Sequence, residues 1–262
     1  MAISQNIVFG VNPVLEKLKD SSQDILELRI AYGSDRAAIH LVRREAEKLG
    51  LRVVWAEPES LDRLAGGHRH QGAVAIIQPY RYWTLTDLLQ NILAPTASER
   101  ILILDGLTDP RNFGALLRTA EAVGVRHIVI PKDRSVGVTP VVVKASAGAA
   151  HHVQIVKVTN LRRAITMIKK HGYWIAALDP QSPESVYDRK YPSKLAIVIG
   201  SEGGGVRPVN LRECDFLAAI PMLGKVASLN VAVAGAVFLY ELLRQARYSG
   251  HGLAKDSMHI GG

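Results

Sequence analysis

The sequence predicts an α/β protein of two domains, the second of which contains a parallel sheet covered by helices on both faces. Short apolar runs recur after residue 100, and continuous runs of this kind suit strands buried on both faces. Helical segments separate several of these runs, which predicts a three-layer domain. The predicted strands are Ile101–Leu104, His127–Ile130, Val153–Val156, Tyr173–Leu178, Leu195–Ile199 and Phe216–Ile220.

A smaller α/β domain is predicted for residues 1–79. Asn12 and Pro13 suit a helix cap followed by a first-turn proline, and Gly50 suits a helix end. The predicted elements are a short helix from Asn12, strands at Ile25–Tyr32, Leu51–Trp55 and Ala73–Ile77, and helices at Asp35–Leu49 and Ser60–Leu64.

Residues 80–100 are predicted to form a linker with a helix from about Thr86 to Leu93. The second domain is then expected over residues 101–248. Its predicted helices are Asn112–Val123, Leu161–Lys170 and Leu229–Gln245. Residues 249–262 hold four glycines and two histidines, which predicts a flexible tail.

Charge is distributed unevenly between the two domains. The chain of 262 residues has a formal net charge of +8. Residues 1–79 hold ten Lys/Arg and ten Asp/Glu, whereas residues 80–262 hold 22 and 14. A phosphate-rich partner would therefore be attracted mainly to the second domain. Such a charge also serves solubility in many proteins, so it favours nucleic acid without requiring it.

Several classes of site are excluded or disfavoured. Cys214 is the only cysteine, so an intramolecular disulfide and a zinc site built from cysteines are impossible, and a reducing cytoplasm is the simplest setting. The apolar stretch Val231–Tyr240 is too short to span a membrane, which takes roughly 20 residues. The pairs His68/His70 and His151/His152 lack acidic or thiol companions at ligand spacing, so we predict no metal.

A glycine-rich loop follows the predicted strand Leu195–Ile199, with the sequence Gly200-Ser201-Glu202-Gly203-Gly204-Gly205. Glycines allow a backbone to turn sharply and approach a ligand closely. The loop holds an acid and no lysine, and it fits neither the Walker A pattern nor the dinucleotide fingerprint. It therefore favours a cationic or uncharged cofactor over a pyrophosphate. The alternative is an ordinary tight turn before a helix that begins at Pro208.

Together with two other segments, this loop resembles the three motifs of the SpoU/TrmH family of RNA ribose methyltransferases. The first segment is Leu104–Ala120, the second is the loop itself within Ile197–Val206, and the third is Ile220–Ala232. Gly10–Val14 and His70–Gly72 resemble the RNA-binding domain that precedes the catalytic domain in the ribosomal RNA guanosine branch. The resemblance implies a SPOUT-like fold with a deep trefoil knot, whose crowded loops would contain Gly200–Gly205 and Gly224.

The resemblance implies S-adenosylmethionine as the cofactor. Gly200, Ile220 and Leu229 are the best-supported contacts, and Met222 and Ser228 lie beside them in the third motif. Backbone amides and apolar side chains at strand ends would hold the adenosine. For Ile220 and Leu229, ordinary core packing is the alternative.

The same motifs imply catalytic roles for polar residues, which are Asn112, Arg118, Glu202, Ser228 and Asn230. Arg118 would contact an RNA phosphate and stabilise developing alkoxide charge, since arginine stays protonated in proteins. Asn112 and Ser228 have helix capping as an alternative role, and Arg118 has that of an exposed cation. Glu202 would accept hydrogen bonds from Arg118 or from the RNA, or would be a solvated carboxylate.

We therefore expect a ribose 2′-O-methyltransferase that acts on 23S ribosomal RNA at a guanosine. A tRNA methyltransferase of the same family is the first alternative, and a non-catalytic RNA-binding protein is the second. A homodimer is also expected. The last predicted helix is apolar around most of its circumference and so needs burial, in the core or against a partner. Family members pair through their knotted domains, and the dimer completes the site.

Overall fold

The computed structural model describes residues 7–20, 22–34, 37–92, 100–226 and 228–248. Contacts divide the chain into two compact units, Met1–Arg81 and Tyr82–Gly262. The tail predicted at residues 249–262 lies outside the described residues. Among the residues described, every helix is too short or too polar to traverse a lipid bilayer.

The first unit is a four-stranded mixed sheet with helices. Its elements are β1 (Ile7–Phe9), α1 (Val11–Asp20), β2 (Ile25–Ala31), α2 (Ala37–Lys48), β3 (Val53–Ala56), α3 (Pro58–Leu64) and β4 (Ala73–Ile77). The strand order is β1-β4-β2-β3, in which only β2 and β3 pair in parallel. The three predicted strands are present as β2, β3 and β4, and the three predicted helices as α1, α2 and α3. The strand β1 was not predicted. Asn12 lies within α1, so its prediction as a cap is wrong.

The second unit contains a six-stranded sheet in which every pairing is parallel. Its strands are β5 (Arg100–Asp105), β6 (His127–Pro131), β7 (Gln154–Val158), β8 (Trp174–Leu178), β9 (Leu195–Gly200) and β10 (Phe216–Ala218). All six were predicted. They lie in the order β10-β8-β9-β5-β6-β7, so their carboxyl ends share one edge. We call this edge the carboxyl edge.

Helices cover both faces of this sheet. They are α4 (Leu85–Asn91), α5 (Pro110–Ala122), α6 (Pro140–Ala145), α7 (Leu161–Lys170), α8 (Pro208–Leu211) and α9 (Val231–Tyr248). Leu88 of α4 and Ile165 and Ile168 of α7 share one buried core with alternate strand residues. The helix α5 contacts both α6 and α9. The α/β class with a parallel-sheet domain is therefore confirmed, while the trefoil knot stays a prediction.

The helix predicted inside residues 80–100 is present as α4 and packs against the core of the second unit. A capping box stabilises its start. The backbone N–H of Asp87 donates to Thr84, and that of Thr84 donates to the Asp87 carboxylate at 2.8 Å. The helix α6 was not predicted.

Glycine permits close packing beneath the sheet edge. A Cβ on Gly114 of α5 would lie 2.5 Å from the Cβ of Ala145 in α6. A Cβ on Gly235 of α9 would lie 2.4 Å from Leu116 and 2.8 Å from Ile199. All three distances are shorter than real Cβ contacts. Backbone atoms of Val142 and Ser146 also lie within 2.9 Å of the Gly114 position, so α5 can approach α6 this closely only because residue 114 is glycine. At position 235 a side chain would displace Leu116 and Ile199. This packing sets the start of α5 beside the start of α9.

Candidate active site

Three polar side chains from distant parts of the sequence meet at the carboxyl edge. The side-chain amide of Asn112 donates to Glu202 Oε2 at 3.0 Å. The amide of Asn230 donates to Asn112 Oδ1 at 3.0 Å and to Glu202 Oε1 at 3.3 Å. We call these residues the Asn–Glu–Asn cluster. Each of the three predicted motifs contributes one member, so the structure brings together residues that the sequence linked only by resemblance.

The start of α5 places Asn112. The side chain of Asp109 caps the helix, accepting from the backbone N–H of Arg111 at 2.7 Å and of Asn112 at 2.8 Å, and Pro110 occupies the first helical position. The capping alternative for Asn112 is therefore wrong. Because Asp109 satisfies the backbone, the Asn112 amide is available to bond Glu202 across the edge of the sheet.

The glycine-rich loop places Glu202. Ser201 and Gly205 exchange two backbone hydrogen bonds of 3.0 Å, which closes the loop immediately after β9. A Cβ on Gly200 would lie 1.9 Å from the carbonyl carbon of Gly205, so only glycine fits there. Gly203 has a φ of +77°, which L side chains rarely adopt. By contrast, a Cβ on Gly224 would meet nothing within 4 Å in this chain, and the placement of Gly224 in a knot loop stays a prediction.

The start of α9 places Asn230. Its side-chain oxygen accepts from the backbone N–H of Ala232 at 2.9 Å and of Val233 at 3.4 Å, so Asn230 is the residue that caps this helix. The capping alternative for Ser228 is therefore wrong. One asparagine thus caps α9 with its oxygen and holds the Asn–Glu–Asn cluster with its nitrogen.

Arg118 and Ser228 stand apart from the cluster. Both side chains are exposed, and neither forms a hydrogen bond or ion pair within the part of the chain that the structure describes. Arg118 follows Asn112 by six helical positions, which turns it roughly 240° around α5. Glu202 accepts from the two asparagines and not from Arg118. Within one chain, the structure therefore does not join the arginine to the other predicted catalytic residues.

The predicted cofactor residues lie at or near the carboxyl edge. Gly200 is the last residue of β9, and Ile220 follows β10 by two residues. Ile220 is half-buried, whereas Met222 and Leu229 are 39% and 37% exposed. The core-packing alternative therefore does not describe Leu229. Leu229 precedes Asn230, which bonds Glu202 of the glycine-rich loop, so its apolar side chain is available near that loop and suits the adenosine part of a cofactor.

A buried carboxylate that the sequence analysis did not single out supports this edge. Asp105, the last residue of β5, is 1% exposed. It accepts from the backbone N–H of Arg207 at 2.9 Å, from Arg207 Nε at 2.6 Å and from the Asn210 amide at 2.7 Å. It thereby holds the segment after the glycine-rich loop against β5. In the sequence, the signal for this residue is an acid that directly follows an apolar run and precedes Gly106.

Across the residues described, no three His, Cys, Asp or Glu side chains gather as a metal-binding group. Independence from metal stays a prediction.

Sequence models of known protein families match both units of the chain. The sequence model of the SpoU rRNA methylase family matches residues 99–240, and that of the RNA 2′-O ribose methyltransferase substrate-binding domain matches residues 7–83. The 23S rRNA (guanosine-2′-O-)-methyltransferase RlmB of Shewanella oneidensis is 40% identical over 243 residues, which is 93% of this chain and 98% of that protein. The RlmB of Xylella fastidiosa is 37% identical over 238 residues, 91% of this chain and 96% of that protein.

A solved structure shares the fold. The SpoU methyltransferase AviRb from Streptomyces viridochromogenes, crystallised in complex with AdoMet, superposes with a TM-score of 0.69. The match covers 92% of this chain and 90% of AviRb at 21% identity. The family models and the relatives that match over nearly the whole length show that this chain belongs to the SpoU rRNA methylase family.

Proposed function

We propose that this chain transfers a methyl group from S-adenosylmethionine to the ribose 2′-hydroxyl of a guanosine in 23S ribosomal RNA. The Asn–Glu–Asn cluster carries the proposal, because it unites the polar residues of three motifs at the carboxyl edge, where open α/β sheets bind ligands. Family membership and the RlmB relatives support the reaction and the RNA substrate. Such a reaction would take place in the cytoplasm, where the ribosome is.

The residues at this edge suit S-adenosylmethionine. Gly200 would let the cofactor approach the backbone, while Ile220, Met222 and Leu229 offer apolar surface and Ser228 a polar group. The loop that begins at Gly200 contains a carboxylate and no cation until Arg207. Electrostatically, that favours a sulfonium cation over a phosphate. The cofactor, when bound, supplies an electrophilic methyl group.

The chain's own residues would act on the RNA. The 2′-hydroxyl loses its proton as its oxygen attacks, so negative charge develops on that oxygen. Arg118 would stabilise this charge and contact a phosphate, while a neighbouring phosphate oxygen of the RNA accepts the proton. The Asn–Glu–Asn cluster would orient the ribose, because its three side chains are already fixed by one another.

We infer that the active form is a homodimer in which Arg118 serves the site of the partner. Arg118 lies on a different face of α5 from Asn112, and it has no ion pair among the described residues. Val141 of α6, Val233 and Tyr240 of α9 are each about half exposed, at 51%, 49% and 53%. A partner that packs on this helical layer would cover them.

Complementation between subunits tests the dimer. Arg118→Ala and Glu202→Ala proteins should each be inactive, but together they should regain activity, since one site of the mixed dimer then has both residues. No recovery in mixtures shown to contain mixed dimers would contradict the shared site.

Identifying the modified nucleoside tests the substrate. The protein should be incubated with labelled S-adenosylmethionine and, separately, with unmodified ribosomal RNA and tRNA transcripts. We expect label in ribosomal RNA as 2′-O-methylguanosine. Label confined to tRNA would favour the tRNA alternative, and absence of label in both would favour a non-catalytic RNA-binding protein.

A further inference from the structure

A cleft of about 630 Å³ opens at the carboxyl ends of β6 and β7. Its walls include Arg134 after β6, Asn160 and Arg162 at the start of α7, and Arg207 before α8. A second depression of about 390 Å³ shares Asn160 and Arg162 and continues along α7 past Arg163. We call the two together the α7 cleft. None of the predicted catalytic or cofactor residues lines it.

The α7 cleft is tied to the candidate active site through the loop that leads to Asn112. Arg207 on its wall is bonded to Asp105 at the end of β5. The backbone N–H of Val136 donates to the carbonyl of Leu107 at 2.8 Å, which fixes the loop that carries Arg134. A chain lying in the cleft could therefore continue onto the carboxyl edge without leaving the second unit.

Cations outnumber carboxylates around this cleft. Five basic side chains line it, which are Arg134, Arg162, Arg163, Lys170 and Arg207. Three carboxylates lie beside them: Asp133 is in the wall, Asp105 pairs with Arg207, and Glu213 pairs with Arg162 at 2.7 Å. Arg134, Arg163 and Lys170 have no ion pair within the described ranges, and all three are exposed. Their charges are available to an outside ligand.

The helix and the loop that present these cations are held in place. The helix α7 spans ten residues, about 15 Å, and contains no acidic residue. Arg134 adopts a φ of +58°, in the left-handed region that non-glycine residues rarely occupy. A basic groove of this length is suited to several phosphates in a row and not to one compact anion.

We propose that the α7 cleft binds the phosphate backbone of the RNA on one side of the nucleotide that is methylated. This inference rests on the proposed function, because it concerns how the same substrate is held. The planar guanidinium of an arginine can donate two parallel hydrogen bonds to phosphate oxygens. Lys170 adds a point charge at the end of α7. The cleft would set affinity and register, while chemistry stays at the carboxyl edge.

Charge reversal at two exposed positions of α7 that line the second depression tests the proposal. The variant Arg163→Glu/Lys170→Glu should be compared with Arg126→Glu/Lys190→Glu, which makes the same change in net charge at exposed positions outside the cleft. If Arg163→Glu/Lys170→Glu lowers the melting temperature, the charge-neutralising variant Arg163→Gln/Lys170→Gln replaces it in the same measurements. The measurements are Kd for a ribosomal RNA fragment between 50 and 200 mM salt, Kd for S-adenosylmethionine, and the single-turnover rate at saturating RNA.

In the cleft variant, RNA affinity should fall about tenfold or more, and the slope of log K against log salt should become shallower by about 2. Cofactor affinity and the single-turnover rate at saturating RNA should stay unchanged, and the control should bind RNA nearly as the natural protein does. If both variants bind RNA equally well, the proposal is overturned. If the natural protein transfers no methyl group to any RNA, the proposed function itself fails, which is a separate result.

Discussion

Asn112 and Asn230 lie 118 positions apart in the sequence, yet they share a hydrogen bond of 3.0 Å between their side chains. Each also donates to one oxygen of Glu202, so both carboxylate oxygens are engaged. The three side chains are placed by the start of α5, the glycine-rich loop and the start of α9. Each of these segments is stabilised by its own local hydrogen bonds. The Asn–Glu–Asn cluster is therefore a product of the whole second unit.

Replacing Glu202 by glutamine should reduce methyl transfer and lower the free energy of unfolding by no more than about 1.5 kcal/mol. A glutamine amide has one acceptor and one donor group, so it can keep only one of the two hydrogen bonds from the asparagines. Losing an exposed hydrogen bond costs about 0.5–1.5 kcal/mol, which corresponds to roughly 2- to 10-fold in rate if orientation depends on it. Single-turnover kinetics and thermal melting provide the check. A rate equal to that of the natural protein would show that the cluster does not orient the substrate.

Replacing Arg118 by alanine should slow methyl transfer by ~10²–10³ without weakening S-adenosylmethionine binding. One preorganised donor directed at developing negative charge contributes about this much. Arg118→Lys should rescue poorly, because a point charge does not reproduce the planar fork. Calorimetry for the cofactor and single-turnover assays separate binding from chemistry, with Arg126→Ala as the exposed arginine control. Near-normal turnover in Arg118→Ala would refute the assigned role.

Replacing Gly200 by alanine should abolish cofactor binding and lower the melting temperature. The new Cβ would lie 1.9 Å from the backbone of Gly205, so the loop that carries Glu202 could not close. Gly224→Ala is the matched control, because its Cβ would meet nothing within 4 Å. Calorimetry with S-adenosylmethionine should distinguish the two variants. Equal affinities would mean that closure of this loop is not needed for the cofactor.

Stability should depend on pH through His127. His127 is 2% exposed, and its Nε2 lies 2.9 Å from Asn91 Oδ1, while its buried Nδ1 has no hydrogen-bond partner among the described residues. Burial, reinforced by Arg126, lowers the pKa of His127 to about 4. In the unfolded chain a histidine titrates near ~6.5, so the unfolded state binds more protons between these values. The stabilising contribution of neutral His127 is therefore lost as pH falls from about 6.5 to about 4.

Urea unfolding at pH 7 and pH 5 checks this prediction. His127→Gln keeps a donor for Asn91 and removes the titrating group, so it should lose less stability between the two pH values than the natural protein does. Identical losses in the two proteins would show that His127 is not responsible.

The fold was largely predictable because the strands of the second unit are buried on both faces. Six continuous apolar runs identify six strands without ambiguity. The strand β1 was missed because it has only three residues, and α6 because three consecutive valines disfavour a helix locally. In α6 the Thr139 cap and Pro140 at the first position offset that preference. The caps of α5 and α9 are Asp109 and Asn230, whereas Asn112 and Ser228 were the possible caps in the sequence. Which of two nearby polar residues caps a helix therefore depends on the tertiary contacts of both.

The candidate site was predictable only in part. The resemblance to the family motifs identified Asn112, Glu202 and Asn230 as site residues. Their mutual hydrogen bonds arise from packing between α5, β9 and α9. The role of Asp105 depends on Arg207 and Asn210, which follow it by more than a hundred residues. The α7 cleft likewise combines separate segments, so no single stretch of sequence reveals it.

Alkaline hydrolysis of the methylated RNA tests the central claim most directly. A methyl group on the ribose 2′-oxygen blocks attack of that oxygen on the adjacent phosphate, so the linkage after the modified nucleotide resists alkali. After reaction with labelled S-adenosylmethionine, we expect the label in an alkali-resistant dinucleotide from ribosomal RNA, formed at least ~10²-fold more slowly with Arg118→Ala protein. Label recovered in mononucleotides would place the methyl group on a base and contradict ribose methylation by this site.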